Sequence, residues 1–182
     1  MRKTSGFTLI ELMVTLAVAA IVLTVGIPSF REFIERNRVS AYTNRLVGAL
    51  QLARSEAIKR GRHVTLCNYD SNKKECKSDG AWQDGWQLYV NEASGDVLIQ
   101  LYEAMPGLTI TGGVKFACWI GFGPSGNPEA SLDASCQGDT ETDFPVGNGS
   151  FTLCSSRLTA THTGRKVVIN PVGRIRTEDT TC

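Results

Sequence analysis

The sequence is poor in the residues from which metal sites and catalytic centres are usually built. It contains only two histidines, His63 and His162, and its six cysteines include no C-x-x-C pair. Zinc sites use cysteine and histidine at short spacings, and such a cluster is missing here. Neither histidine has a nucleophile at a motif spacing. The sequence therefore predicts no metal, no cofactor and no enzymatic activity.

A strong charge of one sign is also absent. The chain has 19 Lys and Arg against 18 Asp and Glu, a formal net charge of +1. Removing the first six residues would delete Arg2 and Lys3 and leave 17 basic against 18 acidic residues, a net charge of −1. No overall basic field attracts nucleic acid, so any such binding must come from a local cluster.

The long apolar run is confined to one place, residues 7–27, where a short basic leader precedes it. These 21 residues would form a helix of roughly 31 Å, the thickness of a bilayer's hydrocarbon core. One carboxylate, Glu11, interrupts the run, and a charge in such a segment usually has a partner or a function. An ordinary secretory signal is the alternative, because the segment Ala17-Val18-Ala19 is similar to a signal cleavage site.

The string Gly6-Phe7-Thr8-Leu9-Ile10-Glu11-Leu12 resembles the processing site of the type IV prepilins. The resemblance implies that prepilin peptidase cuts between Gly6 and Phe7 and methylates Phe7, and that Glu11 pairs with an N-terminal amine during assembly. It also implies a single-pass protein of the bacterial inner membrane with a periplasmic globular domain. That protein contacts membrane lipid first and later the other major and minor pilins of a surface filament.

The helical pattern continues beyond Pro28 with a different face. Apolar residues recur at three- and four-residue steps, at Phe30, Phe33, Ile34, Tyr42, Leu46, Leu50, Ala53 and Ala57. Proline inside a helix predicts a bend rather than a break at Pro28, and Gly61 predicts the helix end. We therefore expect a leader at 1–6, a transmembrane segment at 7–28 and an amphipathic helix segment at 29–61.

Short β-rich runs separated by turns follow Gly61. We expect strands at 63–68, 86–91, 97–103, 109–111, 115–122, 150–155, 165–170 and 174–177, with long loops at 70–84 and 123–149. The G-x-G-x-x-G string at 121–126 contains Pro124, which favours a turn over a dinucleotide site. The fold class is α+β, a long N-terminal helix packed on a β-rich antiparallel domain at 62–182.

All six cysteines follow the helix, on the exported side if the helix spans a membrane. An even number there indicates disulfides in an oxidising compartment, although six cysteines allow fifteen connectivities. Because short loops close most easily, we expect sequential pairing: Cys67 with Cys76, Cys118 with Cys136, and Cys154 with Cys182.

Four segments, at 51–61, 64–67, 84–86 and 173–176, resemble in order the GspH/FimT group of minor pilins and pseudopilins. In FimT-type pilins a Gly-Arg-x-Arg motif is implicated in binding DNA during natural transformation, and residues 173–176 fit that motif. The resemblance makes duplex DNA a candidate partner, bound through the four basic residues Arg165, Lys166, Arg174 and Arg176. Alternate strand residues share a face, so Arg174 and Arg176 are expected to point the same way.

Three other interpretations stay open. The arginines could simply pair with Glu178 and Asp179, which follow at once. A FimU-like subunit that primes or connects the pilus tip needs no DNA contact. A GspH-type pseudopilin of type II secretion would share the helix and the domain.

Overall fold

The computed structural model describes residues 6–69, 76, 82–92, 95–113, 116–130, 148–158 and 162–182. The chain divides into two compact units, one up to Glu35 and the other from Arg36 to Cys182. One helix, α1 (Leu9–Arg60), belongs to both. The other described elements are a 3-10 helix (Trp82–Asp84) and the strands β1 (Val64–Asn68), β2 (Gly85–Glu92), β3 (Gly95–Glu103), β4 (Leu108–Gly112), β5 (Trp119–Phe122), β6 (Pro128–Ala130), β7 (Gly149–Ser155), β8 (Thr163–Ile169) and β9 (Ile175–Thr181).

Helix α1 has clear signals at both ends. The amide of Glu11 donates to the hydroxyl of Thr8 at 3.3 Å, which caps the first turn. The helix continues through Pro28 and ends at Arg60. Gly61 then adopts a φ of 61°, and the amide of Arg62 donates to the carbonyl of Ala57. The predicted stop at Gly61 is confirmed, because glycine adopts this left-handed conformation without steric cost.

The strands form two antiparallel sheets. The five-stranded sheet has the order β3-β2-β1-β5-β6, and the four-stranded sheet has the order β4-β7-β8-β9. Every described pairing between strands is antiparallel. The predicted fold class is confirmed by this arrangement.

The core of the second unit lies between the helix and the sheets. Helix α1 contributes Leu46, Leu50 and small alanines, all fully buried. Against them pack sheet residues and the aromatic side chains of Trp82, Phe116 and Phe151, whose rings contact one another. The predicted helix face is confirmed from Tyr42 onward. Phe30, Phe33 and Ile34 differ, since they stay exposed and extend the apolar surface of the first unit.

The described disulfides agree with sequential pairing. Cys67 is bonded to Cys76 and Cys154 to Cys182. Cys118 is also disulfide-bonded, while its expected partner, Cys136, lies outside the described residues. Gly164 allows the Cys154–Cys182 bridge to pass over β8, because a side chain at Gly164 would collide with the sulfur of Cys182.

Some strand boundaries differ from those expected. Strand β6 lies within the predicted loop 123–149, and β9 extends to Thr181 rather than 177. Strand β6 is short and begins with proline, which an edge strand tolerates but a sequence pattern does not reveal. The expected turn within 121–126 is confirmed by the hydrogen bond from the amide of Gly126 to the carbonyl of Gly123.

Candidate functional site

The first candidate region is the start of the chain's helix. Gly6 and Phe7 precede it, and Phe7 is 70% exposed. Every residue in 6–24 and 26–34 is exposed. The helix contains an 18-residue window of mean hydropathy 2.4, long and apolar enough to cross a membrane by length and composition. A helix segment that is apolar on all sides, and that the described residues leave exposed, is suited to lipid or to other helices.

The second candidate region is the outer surface of strands β8 and β9. Alternation along β8 places Arg165 on the same side as buried Val167 and Ile169, and Lys166 on the opposite side. Arg176 pairs in register with Val168 and therefore lies on the side of Lys166. Arg174, just before β9, lies beside Asn170. The structure thus separates Arg165 from the other three, and we call Lys166, Arg174 and Arg176 the basic face.

Two acidic residues lie among these cations. Arg165 pairs with Asp179 at 2.7 Å, whereas Lys166 and Arg176 share Glu178 at 3.7 and 3.9 Å. Exposed pairs of this kind contribute about 0 to 1 kcal/mol each. Within the described residues, Arg174 has no carboxylate partner. The basic face therefore holds three cations against one carboxylate.

Arg174 stands between two grooves. One, of about 310 Å³, is lined by Asn148, Val168, Asn170, Arg174 and Arg176. The other, of about 430 Å³, is lined by Gln51, Arg54, Ser55, Ile58, Gly173, Arg174 and Ile175. The first groove presents two guanidinium groups beside two amides, all of which can donate hydrogen bonds to anionic oxygens.

A tight turn places Arg174 at this position. Gly173 has a φ of 75°, its amide donates to the carbonyl of Asn170 at 2.9 Å, and the amide of Arg174 donates to the Asn170 side chain at 2.7 Å. Arg54 of helix α1 donates to the carbonyls of Val172 and Gly173, both at 2.9 Å. Sequence reasoning missed Arg54, because its acceptors are backbone carbonyls at least 118 positions away.

His162, isolated in the sequence, lies beside a disulfide in the fold. Its ring and the sulfurs of Cys154 and Cys182 place their ligating atoms within 4.8 Å of one another. Both sulfurs are bonded to each other, and only a thiolate binds metal strongly. This cluster is therefore a structural bridge in the oxidised protein.

Among the described titratable side chains, Tyr89 has a strongly shifted pKa. Burial raises the pKa of Tyr89 to about 12, opposed by a hydrogen bond with Thr65 and assisted by the charge of Asp96. The Tyr89 hydroxyl lies 3.8 Å from the sulfur of Cys76. This group lies beside the Cys67–Cys76 bridge in β2, away from β8 and β9.

Two family models match the chain. The one described as Type II transport protein GspH matches residues 42–173, and the one described as Prokaryotic N-terminal methylation motif matches residues 1–27. Two curated relatives, both described as fimbrial protein of Pseudomonas aeruginosa, are 34% identical over 64 residues. The match covers 35% of this chain and 41% of each relative, so the chain spans less than half of their length.

Solved structures of similar fold include the type IV minor pilin FimU of Pseudomonas aeruginosa in two crystal forms. One has a TM-score of 0.55 at 24% identity, covering 80% of this chain and 92% of FimU. The other has a TM-score of 0.53 at 22% identity, covering 76% and 91%. These likenesses show a type IV minor pilin fold. Since the GspH model spans most of the sequence, the chain belongs to the GspH family.

Proposed function

We propose that this chain is a minor type IV pilin subunit, non-enzymatic, that is stored in the inner membrane and assembled into a pilus. The observation that carries the proposal is the exposed apolar helix of residues 9–34 next to a methylation motif. When this helix leaves the membrane, its apolar surface must be buried by something other than lipid. The packed helices of neighbouring subunits provide that burial. The globular domain then faces the periplasm before assembly and the cell surface afterwards.

Processing and assembly use the same few residues. Prepilin peptidase cuts between Gly6 and Phe7 and methylates the new amine of Phe7. Glu11 follows Phe7 by about one turn's length of sequence, so its carboxylate can pair with an N-terminal amine in a low-dielectric medium, where opposite charges attract strongly. The pairing sets the axial position of the subunit among its neighbours.

Mass spectrometry of the mature chain tests the processing step. A polypeptide that begins with methylated Phe7 supports the proposal, and one that retains Met1 or begins elsewhere contradicts it. Glu11→Gln tests the assembly step: it should stay in the membrane fraction and disappear from sheared filaments. Glu32→Gln, a charge removal further along the same exposed helix, is the matched control and should assemble normally.

We propose DNA binding by the basic face as a second function. Its support is that Arg174 and Arg176 line one groove together with Asn148 and Asn170. Planar guanidinium groups suit phosphate oxygens, and three phosphate contacts would give a salt slope of about −2.7 in log affinity for duplex DNA.

The test is a salt titration of DNA binding by the full-length chain in detergent. Arg174→Ala with Arg176→Ala should reduce the slope by about 1.8, because two phosphate contacts are lost. Arg165→Ala is the control, since Arg165 lies on the other side of the sheet and should leave the slope unchanged. Equal effects of the two changes would reject the basic face as the binding surface.

A deletion strain separates this function from the alternatives. In that strain, loss of transformation supports a DNA receptor. Loss of surface pili in cells that still bind DNA as before supports a tip-priming subunit like FimU. Loss of enzyme secretion alone would instead identify a type II secretion pseudopilin and overturn the pilus proposal.

A further inference from the structure

We infer that Arg54 of helix α1 is the positioning residue of the Gly173-Arg174-Ile175-Arg176 motif, holding the β8–β9 turn so that Arg174 projects between the two grooves. The inference rests on the proposed DNA binding for its functional consequence. Its structural part, that Arg54 holds the turn, can be measured without DNA.

The hydrogen bonds of Arg54 are directed at the backbone of the turn. Its two terminal nitrogens donate to the carbonyls of Val172 and Gly173, both at 2.9 Å. A guanidinium fork can satisfy two adjacent acceptors at once, whereas an ammonium group is a single point donor on a flexible stem. Within the described residues, Arg54 has no carboxylate partner, so these carbonyls are the acceptors that orient it.

Two glycines allow Arg54 to approach the turn closely. A Cβ on Gly173 would lie 2.5 Å from the carbonyl oxygen of Gly126 and 3.1 Å from the guanidinium carbon of Arg54. A Cβ on Gly126 would lie 3.1 Å from Nε of Arg54. Both glycines also have positive φ angles, 75° and 76°. The guanidinium therefore lies between two turns, and the first residue of the motif must be glycine for conformational and packing reasons.

The consequence for Arg174 follows from its neighbours. Its amide hydrogen-bonds to the side chain of Asn170, within the turn that Arg54 holds. The side chain of Arg174 is exposed and lines both grooves. A fixed backbone lowers the cost of ordering this long side chain when it binds a phosphate, which is the usual benefit of preorganisation.

Two variants at Arg54 distinguish its role in holding the turn from the effect of its positive charge. Arg54→Ala removes the fork and the charge, and Arg54→Lys keeps the charge but cannot bridge both carbonyls. Arg45→Ala is the matched control, because it removes one positive charge from the same helix, where Arg45 lies over Tyr102. All are made in the full-length chain in detergent, with tryptophan fluorescence reporting that the domain is folded.

Hydrogen exchange of the Gly173 and Arg174 amides measures the turn itself. Both Arg54 variants should speed exchange at these amides about tenfold, with no change at buried Val167, while Arg45→Ala leaves all three unchanged. Gly173→Ala places a methyl group against the guanidinium of Arg54 and should have the same local effect. Wild-type exchange at these amides in Arg54→Ala would overturn the inference. If Arg54→Ala does not fold, wild-type exchange in Arg54→Lys would overturn it instead.

DNA affinity then measures the consequence. Both Arg54 variants should weaken duplex binding about fivefold with an unchanged salt slope. A slope reduced by about 0.9 in Arg54→Ala, with affinity restored in Arg54→Lys, would mean that Arg54 contacts phosphate directly and would overturn the positioning role. If the wild-type chain binds no DNA at any salt concentration, the proposed function fails, and the exchange experiment alone decides whether Arg54 holds the turn.

Discussion

The two parts of helix α1 share a secondary structure and differ in what surrounds them. In residues 9–24 and 26–34 every residue is exposed, although most are apolar. Between Val39 and Ala57 the helix buries apolar residues at three- and four-residue steps against the sheets. The difference indicates that the first part is folded for partners outside the chain and the second for the chain's own core.

This contrast separates two kinds of sequence constraint. On the proposed function, the first part needs apolar character on all sides and the carboxylate of Glu11, because its surroundings are lipid and neighbouring subunits rather than the chain's own core. The second part needs specific volumes at specific positions, because protein interiors are closely packed. Substitutions should therefore affect assembly in the first part and stability in the second.

A pair of leucines gives the sharpest version of this comparison. Leu50 is fully buried and Leu16 is 62% exposed. Leu50→Ala should lower the free energy of unfolding of the domain by about 4 kcal/mol, through lost burial and a residual cavity. Leu16→Ala should change it by less than about 0.5 kcal/mol. Denaturant unfolding in detergent, followed by tryptophan fluorescence, measures both, since every tryptophan lies after residue 80. Similar losses from the two changes would contradict the division.

The disulfides give the next largest expected loss of stability, and like Leu50 they lie in the second unit. The Cys154–Cys182 bridge joins β7 to the residue after β9, across 28 positions. Replacing both cysteines with alanine should cost about 3.6 kcal/mol on the chain-entropy estimate. The Cys67–Cys76 bridge spans only 9 positions, and its removal should cost about 2.6 kcal/mol. Chemical unfolding of the two double variants measures both values, and the reverse order would show that loop length does not govern them.

The sequence allowed most of the helix and much of the sheet to be predicted, for identifiable reasons. The apolar run, the three- and four-residue spacing and the glycine stop are local signals, and they placed most of α1 correctly. Short β-rich runs between turns placed most strands. Strand β6 was missed because a three-residue edge strand beginning with proline has no local signature. The exposed state of Phe30 and Phe33 was also missed, because spacing cannot tell which partner will cover a helix face.

The candidate site could be predicted only in part. Arg174 and Arg176 were recognised from the motif, and Arg165 and Lys166 from the neighbouring predicted strand. Alternation in β8, however, places Arg165 on the other side of the sheet. Arg54 lay in a segment already noted for its family resemblance, yet its contact with the turn depends on tertiary structure. A sequence identifies charged residues readily, whereas backbone acceptors far along the chain become visible only in the fold.

Alkaline pH should affect the globular domain through Tyr89. Its pKa is raised from 10.0 to about 12 because the side chain is buried in the folded state. Below pH 10 both states are protonated and stability is unaffected. Between pH 10 and 12 the unfolded state loses its proton first, so stability should fall by about 3 kcal/mol at most. Unfolding measured from pH 9 to 12 should be less pH-dependent in Tyr89→Phe, and an equal dependence would contradict this assignment.

The smallest expected change in stability concerns the exposed charges of β9, which belong to the surface of the proposed DNA binding. Glu178 is the carboxylate paired with Lys166 and Arg176. Glu178→Gln should alter the free energy of unfolding by less than about 0.5 kcal/mol, because such pairs are weak. Duplex DNA affinity should instead rise about threefold, since a negative charge beside the proposed phosphate site is removed.

Asp179→Asn removes the same charge from the other side of the strand, next to Arg165, and should have a smaller effect. Equal gains from the two changes would mean that affinity follows net charge, and the basic face would then have no special role.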